Sequence, residues 1–238
     1  MTEPSIPERV LVITAHPDDV DFGAAGSVAT WTEQGIDVTY CIVTDGAAGS
    51  ADPNVDLSTL AQIRQDEQRK AAAEVGVLCV HFLGYPDGSL EVSLQLRRDI
   101  TRVIRIVRPE RVVCQSPERN WDRIRASHPD HLAAGEATLQ AVYPDARNPH
   151  SYPELLADGL EPHAVEEVWL MASPRSGRGV DITSNIERKI AALRCHRSQL
   201  ADPDKLEELI RSWTAATAAS LGLPEGRLAE SFQVVDTR

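Results

Sequence analysis

A chain of 238 residues, 42% hydrophobic and 25% charged, has the composition of an ordinary globular protein and enough apolar material for one α/β core. Its 36 acidic residues against 24 basic ones give a formal charge of −12, which argues against general binding to nucleic acid or to an anionic membrane surface. No apolar run approaches the ~18 residues of a membrane span, and residues 1–8 lack the basic and apolar regions of a signal peptide, so a cytoplasmic protein is expected.

Residues 10–13 form an apolar run of strand length that delivers Ala15-His16-Pro17-Asp18-Asp19 to its end. A helix is predicted over 24–34, with Gly35 as its C-cap. The β-rich run 37–43 predicts a second strand, followed by a polar loop extending to residue 58. A helix over 59–75 closes at Gly76, and 78–83 reads as a third strand before the turn-forming residues 84–89. Leu94, Ile100, Val103, Ile104 and Val107 mark one face of a helix that Pro109 ends. Arg98, Arg102 and Arg105 predict its solvated face.

Residues 111–115 read as a fourth strand, and a long loop then leads to Ser127-His128-Pro129-Asp130-His131 and a helix over 131–142. The stretch 143–162 is proline-bearing and irregular. A fifth strand is predicted at 166–172, a helix at 184–197, and a last helix carrying Leu206, Leu209, Ile210 and Trp213 at helical spacing. Residues 232–235 suggest a terminal strand. Strands alternating with helices imply a single-domain, three-layer α/β/α, Rossmann-like, mostly parallel sheet. Cys41, Cys79, Cys114 and Cys195 have no C-x-x-C spacing, and the first three sit in apolar runs, so buried free thiols are expected.

Two stretches carry chemistry. In His16-Pro17-Asp18-Asp19, imidazole and carboxylate make a donor set suited to zinc, or to iron, manganese or nickel. Adjacent carboxylates leave a strand end in different directions, so one can bind a metal while the other faces the metal's water. The bland reading is a solvated Pro-Asp-Asp turn. The position after an apolar strand, with room left by Gly23 and Gly26, favours a ligand site. Gly23-Ala24-Ala25-Gly26-Ser27 does not match G-x-G-x-x-G, which argues against a dinucleotide. In the second stretch, His128 and His131 can face one crevice: one completes a His/Asp/His set and the other reaches a substrate oxygen. The bland reading there is that Asp130 caps a helix and both histidines are surface residues. Both stretches fall where ligands bind in open parallel sheets, at the carboxyl ends of strands.

The order Ala15-His16-Pro17-Asp18-Asp19, Val43-Thr44-Asp45-Gly46, Arg64 with Glu67, Pro86-Asp87-Gly88 and His128-Pro129-Asp130-His131 resembles the zinc-dependent N-deacetylases of the PIG-L or LmbE-like family. The likeness runs over residues 10–142 and returns at 189–199. It implies one deacetylase domain over 1–238 that removes an N-acetyl group from an N-acetylglucosamine-type or related small amide. Family members act on N-acetylglucosamine joined to inositol, phosphatidylinositol or malate. Carried over, His16, Asp19 and His131 would hold Zn²⁺, the same ligands also accepting Fe²⁺ or another divalent metal. Asp18 would deprotonate the zinc-bound water and His128 would stabilise the oxyanion. Arg64 and Asp87 would contact the sugar or its aglycone, and Asp130 would orient a histidine. The chemistry agrees, because neutral-pH amide hydrolysis needs an activated water, a nearby base and a group facing the carbonyl oxygen. One departure is Val20, followed by Asp21, where many members carry Glu directly after the two acids. It weakens assignment to the mycothiol enzymes and not the metal site.

Other residues carry weaker signals. Arg119, Arg123 and Arg125 would line a substrate mouth and favour an anionic aglycone, or simply form a surface loop. His81 reads as a core or edge histidine, His150 and His163 have no partner pattern, and His196 is a surface or supporting residue. Trp213 reads as core or interface. The expected partner is a small-molecule amide or amino sugar, and a homo-oligomer stays open because similar proteins form trimers or hexamers. The rival readings are a metal-dependent hydrolase of another amide, ester or phosphoester bond, and a catalytically silent metal- or sugar-binding domain.

Overall fold

The computed structural model describes residues 7–238; residues 1–6, part of the stretch read above for a leader, lie outside the described residues. Strand β1 (Arg9–Thr14) shows why its sequence is apolar throughout. Val10 and Val12 face one layer with Val28 and Trp31, while Leu11 and Ile13 face the other with Ile100 and Ala137. A parallel strand covered on both faces reads as a continuous apolar run.

The chain continues through α1 (Asp19–Gly23), α2 (Ala25–Glu33), β2 (Asp37–Thr44), α3 (Leu57–Glu74), β3 (Cys79–Tyr85), α4 (Leu94–Val107), β4 (Arg111–Gln115), α5 (Pro129–Gln140), the short α6 (Pro153–Ala157) and β5 (Glu167–Met171). It ends with β6 (Arg178–Asp181), α7 (Ile186–Arg194), α8 (Leu206–Ser220) and β7 (Ala229–Asp236). The seven strands form one sheet in the order β3-β2-β1-β4-β5-β7-β6. The first five pair in parallel and β7 pairs antiparallel with both β5 and β6. This is the mostly parallel α/β architecture expected from the sequence. The chain winds outward from β1 to β3 and then restarts on the other side at β4. The crevice at the carboxyl ends of β1 and β4 is therefore the topological switch point, where open α/β sheets bind ligands.

Several details depart from expectation. The first helix begins inside the His/Asp stretch, at Asp19, and breaks at Ala24 (φ −146°) before α2 resumes. Leu94 is 70% exposed at the first position of α4, so it is not part of the apolar face that Leu96, Ile100, Val103 and Ile104 form. Arg105 is 2% exposed rather than solvated. Its guanidinium donates to the carbonyls of Asp145, Ala146, Asn148 and Ser151, so it staples the irregular stretch to α4. Arg98 and Arg102 do pair with acids, Asp99 and Asp158. Strand β6 was not expected, because Arg-Gly-Val-Asp is mostly exposed and carries no apolar signal. All four cysteines are free, with Cys41 and Cys114 buried as expected but Cys79 exposed on the edge strand β3. No helix among the described residues is long and apolar enough to cross a membrane.

Candidate metal centre

The end of β1 and the start of α5 bring the two His/Asp stretches together. His16 Nδ1 lies 3.3 Å from an Asp19 carboxylate oxygen and 3.3 Å from His131 Nε2. His131 Nε2 is 3.0 Å from the other Asp19 oxygen. Tetrahedral coordination with bonds of ~2.0–2.1 Å sets neighbouring donors about 3.3 Å apart. Three donors already at that spacing, two imidazoles and one carboxylate, fit a zinc-like divalent ion and leave a position for another ligand.

The far nitrogens are anchored as metal-binding histidines require. His16 Nε2 bonds Asp130 at 3.1 Å and Asp87 at 3.0 Å, and His131 Nδ1 meets the Ala126 carbonyl at 3.3 Å. Each ring is thereby held with the other nitrogen facing the shared space. His16, Asp87 and Asp130 make a second cluster of donors, but Asp130 is fully buried and its oxygens already accept from the backbone of Gly88 and Leu90. That carboxylate is already engaged by those two amides and by His16 Nε2. Ring nitrogens of His16, His128 and His131 also lie within 4.8 Å of one another. His128, however, is exposed and serves as the N-cap of α5, its Nδ1 accepting from the Asp130 amide at 3.2 Å. The neutral ring therefore carries its proton on Nε2.

Electrostatics follow from this crowding in the metal-free protein. Burial alone would lower the His16 pKa, yet Asp19 and Asp87 raise it to about 11. Burial would raise Asp19, but His131 and His16 hold its carboxyl well below the usual carboxylate range. Burial, then the charge of His16, keeps His128 below its ordinary value and so neutral near pH 7.

Asp18 stands apart from the three donors. Its backbone is left-handed, at φ 89°, a conformation that costs a non-glycine residue free energy and that persists only when neighbours impose it. The Asp18 amide donates to Gln68 Oε1 at 2.8 Å. Gln68 in turn donates to Asp21, which also bonds His196 at 2.8 Å. Burial, with Asp19 beside it, raises the Asp18 carboxyl to about 7, against the opposing pull of Arg64. Arg64 reaches Asp18 at 3.3 Å and Asp87 at 3.8 Å, and donates to the carbonyls of Gly46 and Pro17. At 3% exposure it is not the solvated helix-face residue that its place on α3 alone would suggest. Asp87 is half-buried beside it.

The supporting residues carried a weak sequence signal, as for His196 and the stretch 189–199, or none, as for Gln115 and Gln68. Gln115 closes β4 as His16 follows β1, accepting from the Ala15 amide and donating to Asp19 at 2.9 Å. Gln68 lies one helical turn beyond Arg64, on the same face. His196, read from the sequence as a surface or a supporting residue, lies buried against Asp21, the second of those two places. Lys189, also buried, donates to the carbonyls of Asp21 and Phe22 and to Glu230. Of the three loop arginines, Arg123 lines the cavity that opens beside Asp19 and His131, whereas Arg119 stands over Trp121, 5.5 Å from its ring centre.

Comparison with known proteins shows the family of the chain. The family model described as PIG-L, GlcNAc-PI de-N-acetylase, matches residues 11–142. The chain is 33% identical to diacetylchitobiose deacetylase of Thermococcus kodakarensis, over 96% of this chain and 83% of that protein. It is 30% identical to a probable N-acetyl-alpha-D-glucosaminyl L-malate deacetylase 2 of Bacillus anthracis, over 86% of each chain. Its fold superposes with a TM-score of 0.88 on the N,N'-diacetylchitobiose deacetylase from Pyrococcus horikoshii solved with its inhibitor MPG, at 30% identity, covering 97% of this chain and 85% of that one. The chain therefore belongs to the PIG-L family of de-N-acetylases, enzymes that hydrolyse an amide C–N bond.

Proposed function

We propose that this chain, acting as one deacetylase domain, removes the acetyl group from an N-acetylglucosamine-type small molecule in a metal-dependent hydrolysis. The observation that carries this reading is the convergence of His16, Asp19 and His131 at ligand spacing, with the raised carboxyl of Asp18 beside them. When bound, a zinc-like ion supplies a Lewis acid that polarises the amide carbonyl and lowers the pKa of water towards ~7. Fe²⁺ or another divalent ion suits the same donors. Asp18 accepts the proton of the attacking water, and a carboxyl poised near neutrality is matched to that task. His128 offers Nε2–H to the carbonyl oxygen as it gains charge. The amide C–N bond then breaks, acetate leaves, and the amine departs carrying the proton that Asp18 took up. Asp130 keeps His16 turned towards the ion. Asp87, with Arg64 behind it, forms the wall against which the sugar or its aglycone is placed. A cytoplasmic location, expected from the sequence, belongs to the same proposal.

The test is acetate release from N-acetylglucosamine and its glycosides by metal-stripped protein, before and after Zn²⁺ is restored. Zinc-dependent release supports the reading, and its absence from every acetamide despite bound metal removes it. His131→Ala is expected to lose stoichiometric metal by direct metal analysis. Full occupancy in that variant would take His131 out of the ligand set.

A pH experiment addresses Arg64. Its cation pulls the Asp18 pKa down, so in Arg64→Met the acid limb of the pH–rate profile is expected to move to higher pH. Turnover then falls most on the acid side. An equal loss at every pH would mean that Arg64 acts through something other than the charge of Asp18.

A further inference from the structure

The backbone of Asp18, at φ 89° and ψ −26°, is left-handed, and the helix that follows it does not require this. The Asp18 carbonyl accepts from the amides of Asp21 and Phe22 at 2.9 and 3.0 Å, as the residue before a helix does, but such residues ordinarily take an extended backbone. The unusual conformation therefore has to be imposed by neighbours. We propose that Gln68 is the positioning residue for Asp18. It fixes this backbone from α3 so that the carboxyl stands beside the three metal donors, and Asp21 and His196 hold Gln68 in turn. The inference rests on the deacetylase reading for the task given to Asp18, and on buried hydrogen bonds for the rest.

One face of α3 grips the peptide group between Pro17 and Asp18 at both ends. Its carbonyl accepts from Arg64 at 2.7 Å, and its N–H donates to Gln68 Oε1 at 2.8 Å. Arg64 and Gln68 are neighbours one helical turn apart. A peptide group is planar, so holding its two polar ends sets the plane. The plane is held on one side of the Asp18 Cα, and the carbonyl is tied into α1 on the other. The value of φ is thereby set, and with it the direction in which the side chain leaves.

The Gln68 side chain can sit only one way round. Its Nε2 donates to Asp21 Oδ2 at 2.9 Å, and the same oxygen bonds His196 Nε2 at 2.8 Å. Turned over, the amide would set oxygen against a carboxylate and N–H against N–H. Gln68 and Asp21 are fully buried and His196 is 1% exposed, so losing any of these partners leaves a polar group unpaired. The segment bearing His196 is itself fastened to α3 at the next residue, where Glu67 accepts from the Ser198 amide and hydroxyl at 2.9 and 2.7 Å. The three metal donors are held separately, by Asp87, Asp130, Gln115 and the Ala126 carbonyl.

The experiment reads three quantities on zinc-restored protein: acetate release from N-acetylglucosamine and its glycosides, zinc content, and hydrogen exchange at the Asp18 amide by NMR. Gln68→Met removes both bonds at similar volume. It is expected to keep stoichiometric zinc, lose protection at the Asp18 amide and lower kcat ~10²-fold, the scale of a ~1 Å misplacement, with KM nearly unchanged. In an Asp18→Asn background it should lower kcat no further, because the group it positions is gone. Gln68→Glu sets two carboxylates together and should be as poor. Adding Asp21→Asn reverses that hydrogen bond and leaves an oxygen for His196, so the pair should recover most of the turnover, and it decides the matter if Gln68→Met fails to fold. Equal losses in both backgrounds, loss of zinc, a rise in KM alone, an Asp18 amide as protected as in wild type, or no recovery in the pair would each overturn the assignment. Loss of that protection in Gln68→Met, with no acetate released even by wild type, would uphold the hold on Asp18 and remove the deacetylase reading alone.

Discussion

Asp18→Asn is expected to keep its metal and lose most of its turnover, with kcat falling ~10²–10⁴-fold, the contribution of a positioned acid–base group. The geometry separates the two outcomes. Asp18 is not one of the three convergent donors, and its amide, which bonds Gln68, is untouched by the change. Asparagine also tolerates the left-handed backbone that this position requires. Metal analysis and thermal unfolding should therefore resemble wild type while acetate release collapses. Joint loss of metal and fold would make Asp18 a ligand or a structural residue. The same variant has a stability signature in the metal-free protein. The folded carboxyl titrates at about 7, above its ordinary 3.8, so between those values the native state holds the proton more tightly than the unfolded chain. Stability should decline as pH rises through that window, and this component of the decline should be missing in Asp18→Asn.

Gly135→Ala is expected to be the most damaging single methyl group in the protein. A Cβ at this point of α5 would stand 2.3 Å from the Gln115 carbonyl oxygen and 3.1 Å from the backbone nitrogen of Pro117. The obstacle is backbone, which cannot rotate away as a side chain can. Either α5 lifts, taking His131 with it, or the end of β4 shifts, taking Gln115 from Asp19. Overpacking typically costs ~1–3 kcal/mol, and at ~2–4 °C per kcal/mol for a chain of this size the melting temperature should fall by about 2–12 °C. Metal affinity should fall ~10–100-fold, as when a ligand's support is removed. Gly177→Ala, where nothing lies within 4 Å, serves as the control and should stay within about 0.5 kcal/mol of wild type. A Gly135→Ala protein with wild-type melting and metal binding would refute the close-approach argument.

The parts of this site that can be read from the sequence are those whose chemistry is local. His16 and Asp19 follow a strand directly, and His131 opens a helix, so position and residue type coincide within a few residues. The polar groups that hold them in place leave no such trace. Gln115 meets Asp19 across 96 positions and His196 meets Asp21 across 175. Nothing near either residue marks it as buried. Arg105 illustrates the converse problem. Its helical spacing with Arg98 and Arg102 is that of a solvated face, and only the folded stretch packed over α4 makes it an internal staple. The fold class was easier, because every strand of the parallel half carries its own apolar run, whereas the exposed β6 has none.

Glu230 has a bearing on the timing of assembly. It sits on β7, yet it accepts from the amides of Gly26 and Ser27, 204 and 203 positions earlier, and from the ammonium of Lys189. That ammonium holds the carbonyls of Asp21 and Phe22, just past Asp19. A buried lysine without its counter-ion is strongly unfavourable, so the segment bearing Asp18 and Asp19 locks only after β7 has joined the sheet. During folding the early strands can collapse while the loop bearing Asp18 and Asp19 stays slack until β7 pairs with β5.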